Sequence, residues 1–460
     1  MMPHPHDSGD AGALARIILA ADTQQSGECE HPIRMAGTGL LVDAGTGRIL
    51  HRHTSDGPAI MVRCRNRRAS ICRPCSALYR LDAYHLITAG LRGGKDTPAD
   101  VSGRPRLFVT LTAPSFGPVH RGPAGDGTPR HCHPRKGGDR CGRWHPAGDP
   151  LIGTPLNPGR YDYTGQVLFN AHAGLLWRRL TIDIRRALAR TAGLSRRDAH
   201  ALVRIVFAKV AEFQARGCVH YHAIIRLDGP HGPGTPPPAW ASADLLADAI
   251  RTATAALRLT SPGTATIART LRWGRQLDIQ PLPAGDPDQP DLTIARYVAK
   301  YATKAAEITG VTIPPLFCRC CAGTGVREHR DGGQTLCRVC SGTGRRRGTD
   351  LSGLTRHGRT LVQVCWRLGV IPALAPLRLR RWAHQIGYRG HVTTKSRTYS
   401  TTFAALRGER RTHSITAHAQ QLGIDPTAHQ LVVGGDWRYA GDHSPPRRHD
   451  GAAERAGGER

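Results

Sequence analysis

The chain has 460 residues, which is too long for one ordinary domain and predicts two or three folding units. Its 64 Lys and Arg residues outnumber its 35 Asp and Glu residues, giving a formal net charge of +29. Only six of the basic residues are Lys. Because Arg makes bidentate phosphate contacts, this composition favours DNA or RNA as the partner. No apolar run approaches the ~20 residues that span a bilayer, and the N-terminus lacks the pattern of a secretory signal. The sequence therefore predicts a cytoplasmic protein with no membrane partner.

Thirteen cysteines, many of them at C-x-x-C spacing, predict zinc sites in a reducing compartment rather than disulfides. The first group follows a predicted flexible N-terminus at 1–28 and lies in a predicted zinc-binding module at 29–100. Its four cysteines suit a tetrahedral structural zinc ion: Cys29, Cys64, Cys72 and Cys75. His31 is a substitute ligand, and reduced buried cysteines without metal are the alternative.

A predicted central domain at 101–316 begins with the β-branched and aromatic strand Arg106–Thr112. An insertion rich in Pro, Gly, His and Arg follows at 117–160 and shows little periodicity. The spacing of its Cys and His residues matches no strong zinc pattern, so the sequence leaves metal binding here open. These candidate ligands are His131, Cys132, His133, Cys141 and His145.

Two strands, Arg204–Gln214 and Cys218–Arg226, flank a short turn and predict a β-hairpin. Because side chains alternate between the faces of a strand, His220 and His222 share one face. Glu212 on the facing strand adds a carboxylate. One carboxylate and two imidazoles leave open positions on Mg²⁺ or Mn²⁺ and can present the ion to a phosphodiester. Two histidines in a strand are a weak pattern alone, and ordinary packing is the alternative.

The stretch Ile294–Ala305 contains a doubled Tyr-x-x-Lys tetrad and no Gly or Pro, which predicts a helix. Its Ala and Val side chains fill one side, whereas the other side carries Tyr297, Lys300, Tyr301 and Lys304. A Tyr phenol, with an ordinary pKa of about 10, becomes a usable nucleophile beside a cation and a lysine. Attack on phosphorus would leave a 5′-phosphotyrosyl link and a free 3′-hydroxyl. A core helix whose tyrosines only pack is the alternative.

A second cysteine module is predicted at 317–345, where the pattern C-x-x-C-x-G-T-G occurs twice. Its four cysteines predict a structural zinc site: Cys318, Cys321, Cys337 and Cys340. The module resembles the cysteine-rich repeats of J-domain co-chaperones, and Cys320 is spare. A basic C-terminal region at 346–440 with helices near Leu361–Leu368 and Pro376–Ile386 is predicted to bind DNA. Aromatics interleaved with cations at Tyr388–Tyr399 suit single-stranded nucleic acid, and a basic strand that only solvates a sheet edge is the alternative. The tail at 441–460 is predicted to be disordered.

The order of these motifs resembles that of the HUH endonucleases: a strand at Phe108–Thr112, then the histidine pair, then the doubled Tyr-x-x-Lys. The paired tyrosines resemble the two-tyrosine class of rolling-circle initiators. Most of the chain looks like the replication initiators of actinobacterial plasmids and integrative elements. This resemblance implies that the histidines are metal ligands and the tyrosines are nucleophiles. Glu212 is the inferred third ligand, and the insertions at 117–160 and 317–345 receive no role from the resemblance.

We therefore expect an α+β fold, with a central antiparallel sheet, flanking helices and small zinc-knuckle modules. The expected function is rolling-circle initiation: binding an origin, nicking one strand and religating at termination. The DNA would be single-stranded at the nick site. Host helicase and DNA polymerase would be partners, catalysis would use Mg²⁺ or Mn²⁺, and one or two Zn²⁺ ions would be structural. The alternatives are a relaxase or transposase of the same superfamily and a non-catalytic zinc-finger DNA-binding regulator.

Overall fold

The computed structural model describes residues 28–54, 60–133, 140–283, 290–303, 309–329, 331–421 and 425–442. Within these ranges there are thirteen β-strands and seven α-helices. The strands are β1 Ile33–Asp43, β2 Ile49–Thr54, β3 Ile60–Val62, β4 Arg106–Leu111, β5 Arg204–Phe213, β6 Val219–Asp228, β7 Leu259–Thr260, β8 Thr270–Leu271, β9 Leu277–Pro281, β10 Val326–Glu328, β11 Gln334–Leu336, β12 Thr393–Lys395 and β13 Leu431–Asp442. The helices are α1 Arg73–Arg92, α2 Tyr163–Thr191, α3 Arg196–Leu202, α4 Ala243–Ala256, α5 Pro290–Tyr301, α6 Arg356–Leu368 and α7 Phe403–Gln421. None of these helices is both long and apolar enough to cross a membrane.

The chain forms two compact units, one made of 1–82 with 402–460 and the other of 83–401. The predicted C-terminal region at 346–440 is thus divided between them. In the first unit β13 pairs with β1 along its whole length, and β2 and β3 also pair with β1. The predicted flexible segment at 1–28 lies outside the described residues except for Glu28. The predicted disordered tail likewise lies outside them beyond Asp442, the last residue of β13.

The second unit is built on a five-stranded sheet with the order β12-β5-β6-β4-β9, in which every pairing is antiparallel. Helix α2 packs on one face, where Trp177 contacts the rings of Phe207 and Tyr221 at centroid distances of 4.9 and 5.9 Å. Leu168, Leu180 and the other core-facing residues of α2 recur at helical spacing and are buried. The fold is therefore α+β with antiparallel sheets and flanking helices, as predicted.

A buried ionic layer crosses the opposite face of this sheet. Arg106 and Arg226 are register partners on β4 and β6, and both are almost completely buried. The guanidinium of Arg226 binds Asp228 at two points, Nε–Oδ1 at 2.7 Å and Nη2–Oδ2 at 2.8 Å. Arg106 Nη1 lies 2.8 Å from Asp291 Oδ2 in the first turn of α5. Since Asp291 is only 4% exposed, this pair is shielded from solvent and fastens α5 to the sheet.

Helix α5 differs in its bounds from the predicted helix at Ile294–Ala305. It begins four residues earlier, at Pro290, and ends at Tyr301, after which Ala302 and Thr303 form a turn. The predicted apolar side is confirmed within the described residues, where Ala295, Val298, Ala299 and Ala302 are buried. Residues 304–308, which include Lys304, lie outside the described part of the chain.

Two predictions for the segment after α6 are wrong. The helix expected at Pro376–Ile386 is replaced by two short 3-10 turns, Pro372–Leu377 and Ala383–Gln385, which end at Arg378 and Ile386 in the left-handed conformation that an α-helix cannot contain. The aromatics expected to face single-stranded nucleic acid are instead core residues. Tyr388 and Tyr399 are both 0% exposed, and the Tyr388 hydroxyl donates to the carbonyl of His391 at 2.9 Å.

Replacing Asp291 with Ala should leave the Arg106 guanidinium buried without its carboxylate. We expect this change to lower the free energy of unfolding by roughly 3–5 kcal/mol, measured by chemical denaturation. The matched control is Asp248→Ala in α4, whose ion pair with Arg251 is exposed and should contribute less than about 1 kcal/mol. Equal effects of the two substitutions would show that the buried pair does not hold α5.

Candidate active site and metal centres

Glu212, His220 and His222 converge on one point of the sheet face that carries the ionic layer. Glu212 and His220 are register partners across the β5–β6 hairpin, and His222 is two positions further along β6, on the same face as His220. Glu212 Oε2 lies 2.9 Å from His220 Nε2 and 3.1 Å from His222 Nε2, and the two Nε2 atoms are 2.9 Å apart. The hairpin prediction is confirmed, and the three side chains offer one ligand atom each to a common point.

The outer nitrogens of both imidazoles have protein partners, which orient the rings. His222 Nδ1 lies 3.2 Å from the Thr110 hydroxyl of β4, and His220 Nδ1 lies 3.3 Å from Gln214 Nε2. Such outer hydrogen bonds fix which ring nitrogen faces a metal. A carboxylate oxygen and two Nε2 atoms could therefore hold a divalent cation and leave its other positions open to water or phosphate. The donor set fits a divalent cation that accepts both oxygen and imidazole ligands, such as Mn²⁺.

Two side chains of α2 bind the turn that joins β5 and β6. Asn170, fully buried, donates through Nδ2 to the carbonyl of Gly217 at 2.9 Å and accepts from the Val219 N–H at 3.0 Å. Gln166 Nε2 donates to the carbonyl of Arg216 at 2.8 Å. The sequence analysis did not assign a role to Gln166 or Asn170, although their residue types carry a signal. They are uncharged amides on the apolar stripe of α2, where an unpaired polar group would be costly.

Both tyrosines of α5 lie against the histidine pair. The Tyr301 ring stacks on His222 with a centroid distance of 5.0 Å, and the Tyr297 ring meets His222 edge-on at 5.3 Å. The two Tyr rings are 4.7 Å apart. Phe108, which shares its face of β4 with Thr110, also contacts His222 and Tyr297. Residues predicted from separate stretches of sequence are thus brought into one cluster.

The two phenols differ in their surroundings. Tyr297 is 41% exposed, whereas Tyr301 is half-buried beside the imidazole. Burial, a hydrogen bond with Tyr297 and the negative charge of Glu212 raise the pKa of Tyr301 above its ordinary value. A cation bound by the same carboxylate would act in the opposite direction and favour the phenolate. Lys300, on the same helix, is exposed to solvent.

The doubled C-x-x-C-x-G-T-G pattern folds as two equivalent halves around four buried cysteines. The Sγ atoms of Cys318 and Cys337 are 3.9 Å apart, and those of Cys321 and Cys340 are 3.7 Å apart. A tetrahedron with Zn–S bonds of ~2.3 Å has edges of ~3.8 Å, so the cluster fits zinc. The N–H of each pattern's last glycine donates to a cysteine sulfur: Gly325 to Cys321 at 3.3 Å and Gly344 to Cys340 at 3.2 Å.

The N-terminal cysteines also form one cluster, within the first unit. Cys29 Sγ lies 3.8 Å from Cys72 Sγ and 3.6 Å from Cys75 Sγ, and Cys64 Sγ lies 3.7 Å from Cys75 Sγ. The Cys64 N–H donates to the sulfur of Cys29 at 3.3 Å. These distances again match the edges of a zinc tetrahedron. The predicted substitute ligand, His31, is not among the four residues that converge here.

The chain is similar to known replication initiator proteins over most of its length. The family described as "Replication initiator protein, pSAM2" (RepSA) matches residues 17–456. A protein of Streptomyces ambofaciens named "Replication initiator protein" is 43% identical over 464 residues, which cover 95% of this chain and 91% of that protein. No solved structure matches the chain.

Replacing Glu212 with Ala should weaken Mn²⁺ binding at least tenfold, because it removes the oxygen ligand that both histidines face. Binding can be measured by electron paramagnetic resonance of free Mn²⁺ during titration of the zinc-loaded protein. Glu328→Ala, an exposed carboxylate on β10, is the control and should bind Mn²⁺ like the unchanged chain. If both variants bound Mn²⁺ with equal affinity, the metal would not be bound at this cluster.

Replacing Cys337 with Ser should release one zinc ion per chain to the colorimetric chelator 4-(2-pyridylazo)resorcinol, since three thiolates hold zinc less tightly than four. Cys320→Ser is the matched control, because Cys320 lies in the same module but is exposed and outside the cluster. The control should retain all of its zinc. Release from the Cys320 variant, or none from the Cys337 variant, would contradict the ligand assignment.

Proposed function

This chain belongs to the RepSA family of replication initiator proteins, and we propose that it initiates rolling-circle replication by nicking one strand of its origin with a tyrosine. The proposal makes the chain an HUH endonuclease of the two-tyrosine type. The observation that carries it is the packing of Tyr297 and Tyr301 against His222, which shares the Glu212 carboxylate with His220. A tyrosine nucleophile beside three candidate ligands for a divalent cation suits strand cleavage at phosphorus, and a second tyrosine allows a second cleavage.

The nicking step assigns one role to each group. A divalent cation held by Glu212, His220 and His222 would polarise the non-bridging phosphate oxygens and offset the charge that develops on them. The phenol of a tyrosine gives its proton to solvent water and its oxygen attacks phosphorus, forming the P–O bond of a 5′-phosphotyrosyl link. The P–O3′ bond breaks, and the 3′-oxygen takes up a proton to become a free hydroxyl. The exposed ammonium of Lys300, one helical turn from Tyr297, binds the phosphate, and Lys304 is assigned the same role.

The two tyrosines give the enzyme a way to finish as well as to start. Because the phosphotyrosyl link retains the energy of the broken bond, a 3′-hydroxyl can attack it and rejoin the strand. One tyrosine holds the first 5′ end while the other cleaves at termination. The free 3′-hydroxyl is the end that a host DNA polymerase extends while a host helicase opens the duplex.

Origin recognition is assigned to the basic zinc module and the basic C-terminal region. The zinc module carries arginines between its ligands, at Arg63, Arg65, Arg67 and Arg68, where they can contact phosphate. Helix α7, which folds in the same unit, carries Arg407 and Arg411. With a net charge of +29 for the whole chain, affinity for the origin should fall steeply with salt.

The nucleophile assignment predicts the fate of a labelled single-stranded origin oligonucleotide incubated with the protein and Mn²⁺. The unchanged chain should form an adduct that survives denaturing electrophoresis. The double variant Tyr297→Phe, Tyr301→Phe should reduce the adduct by roughly a thousandfold or more. Each single variant should still form an adduct but should fail to make the second cleavage while its remaining tyrosine holds the first 5′ end. Tyr439→Phe, an exposed residue of β13, is the control and should behave like the unchanged chain.

Each other outcome points to a specific alternative. An adduct with the double variant would mean that the nucleophile lies elsewhere. No adduct on either origin strand, despite tight DNA binding, would favour a non-catalytic regulator. Strand transfer between the ends of a mobile element, in preference to origin substrates, would favour a relaxase or transposase.

A further inference from the structure

The insertion at 117–160 brings together a third group of metal-ligating side chains, separate from the cysteine clusters and from the active site. His120, Cys132, Cys141 and His145 each present one ligand atom, and all four atoms lie within 4.8 Å of one another. His120 Nδ1 lies 3.2 Å from His145 Nε2 and 3.7 Å from Cys132 Sγ. Cys141 Sγ lies 3.3 Å from His145 Nε2. We propose that this group is a Cys2His2 site for one structural Zn²⁺ ion.

The distances agree with zinc coordination. With Zn–N bonds of ~2.0 Å and Zn–S bonds of ~2.3 Å, a tetrahedral site has N–N edges of ~3.3 Å and N–S edges of ~3.5 Å. The four ligands fill a tetrahedron, as in structural sites, and leave no position for a substrate. Cys132 and His145 are buried, at 0% and 4% exposure.

The surroundings of the ligands are those of a metal site rather than of a chance cluster. His145 Nδ1 lies 2.7 Å from Asp149 Oδ2, which leaves Nε2 to face the other three ligands. A carboxylate on the outer nitrogen of a zinc-bound histidine is a recurrent arrangement that raises the basicity of the ligand. The Arg121 N–H donates to the sulfur of Cys132 at 3.3 Å. The same kind of N–H–sulfur contact occurs in both four-cysteine clusters described above.

Two histidines that flank Cys132 in sequence are excluded by their contacts. His131 is exposed, lies against the Trp144 ring and has its Nδ1 3.1 Å from the carbonyl of Gly142. His133 Nε2 lies 2.6 Å from the carbonyl of Val119. The sequence pointed to these neighbours and omitted His120, because eleven residues separate His120 from Cys132 and no short spacing marks the pair.

The site closes the insertion beside the turn of the metal-binding hairpin. His120 exchanges backbone hydrogen bonds with Gly153 and Thr154, which fastens the start of the insertion to its end. A Cβ built on Gly153 would lie 2.6 Å from the backbone carbon of Ala215, so the insertion touches the turn directly. Arg216 in that turn donates to the carbonyls of Ala113 and Pro114 at 3.0 Å. Zinc at this site therefore holds the loop against which the hairpin turn rests.

The zinc content of the full-length chain tests the ligand set, and it can be measured by mass spectrometry of purified protein. His120→Ala and Cys132→Ser should each contain one zinc ion fewer per chain than the unchanged protein. His131→Ala, the matched control, should lose none. His120→Cys should retain the ion, because it supplies a thiolate in place of an imidazole. Circular dichroism of each variant shows whether the rest of the chain is folded.

The result is independent of nicking, since it counts a difference of one ion whatever the active site does. Equal zinc in the unchanged chain and in a His120→Ala, Cys132→Ser double variant would overturn the site. Loss of zinc from His131→Ala would overturn the ligand set. Hydrogen exchange tests whether the zinc site holds the insertion against the hairpin turn. The backbone amides of the double variant should exchange faster at 117–155 and at the turn 214–218. If exchange became faster in the insertion alone, the zinc site would not stabilise the hairpin turn.

Discussion

The geometry of the candidate active site depends on one buried ion pair, Arg106 with Asp291. Arg106, Phe108 and Thr110 occupy successive positions on the same face of β4, and each meets a different part of the site. Arg106 binds the first turn of α5, Phe108 contacts Tyr297, and Thr110 orients His222. The helix axis and the strand are thereby aligned, so that the two tyrosines reach the histidines. A buried charge that loses its partner is strongly destabilising, which makes this alignment hard to alter.

The rest of the site follows from the pairing of β5, β6 and β4. Because side chains alternate along a strand, a shift of one residue in any pairing would move its ligands to the face occupied by α2. Asn170 and Gln166 of α2 oppose such a shift, because their side-chain amides donate hydrogen bonds to backbone carbonyls of the hairpin turn. The cluster is therefore held by elements on both sides of the sheet, and its parts cannot move independently.

The sequence predicted what short-range periodicity encodes. The histidine pair follows from the two-residue repeat of a strand, the tyrosine pair from the helical repeat, and the zinc knuckles from fixed spacing. Contacts between distant segments could not be predicted from the sequence. Nothing near Arg106 indicates Asp291 as its partner, and the spacing between His120 and Cys132 matches no metal-binding pattern. The prediction for Tyr388 and Tyr399 failed because basic neighbours suggested a surface, whereas their rings fill the core. Local pattern gives candidate groups, and only the fold shows which of them meet.

The pairing of β1 with β13 has a consequence for synthesis of the chain. The strand Ile33–Asp43 leaves the ribosome before residues 83–401, whereas its long partner, Leu431–Asp442, leaves after them. The unit at 83–401 lies between these two strands in sequence. It can therefore fold before β1 has its long partner. The unit that carries the proposed nicking site is thus complete before the unit to which we assign origin binding. A chain that stops before Leu431 would contain the unit with the proposed nicking site but would lack the long partner of β1.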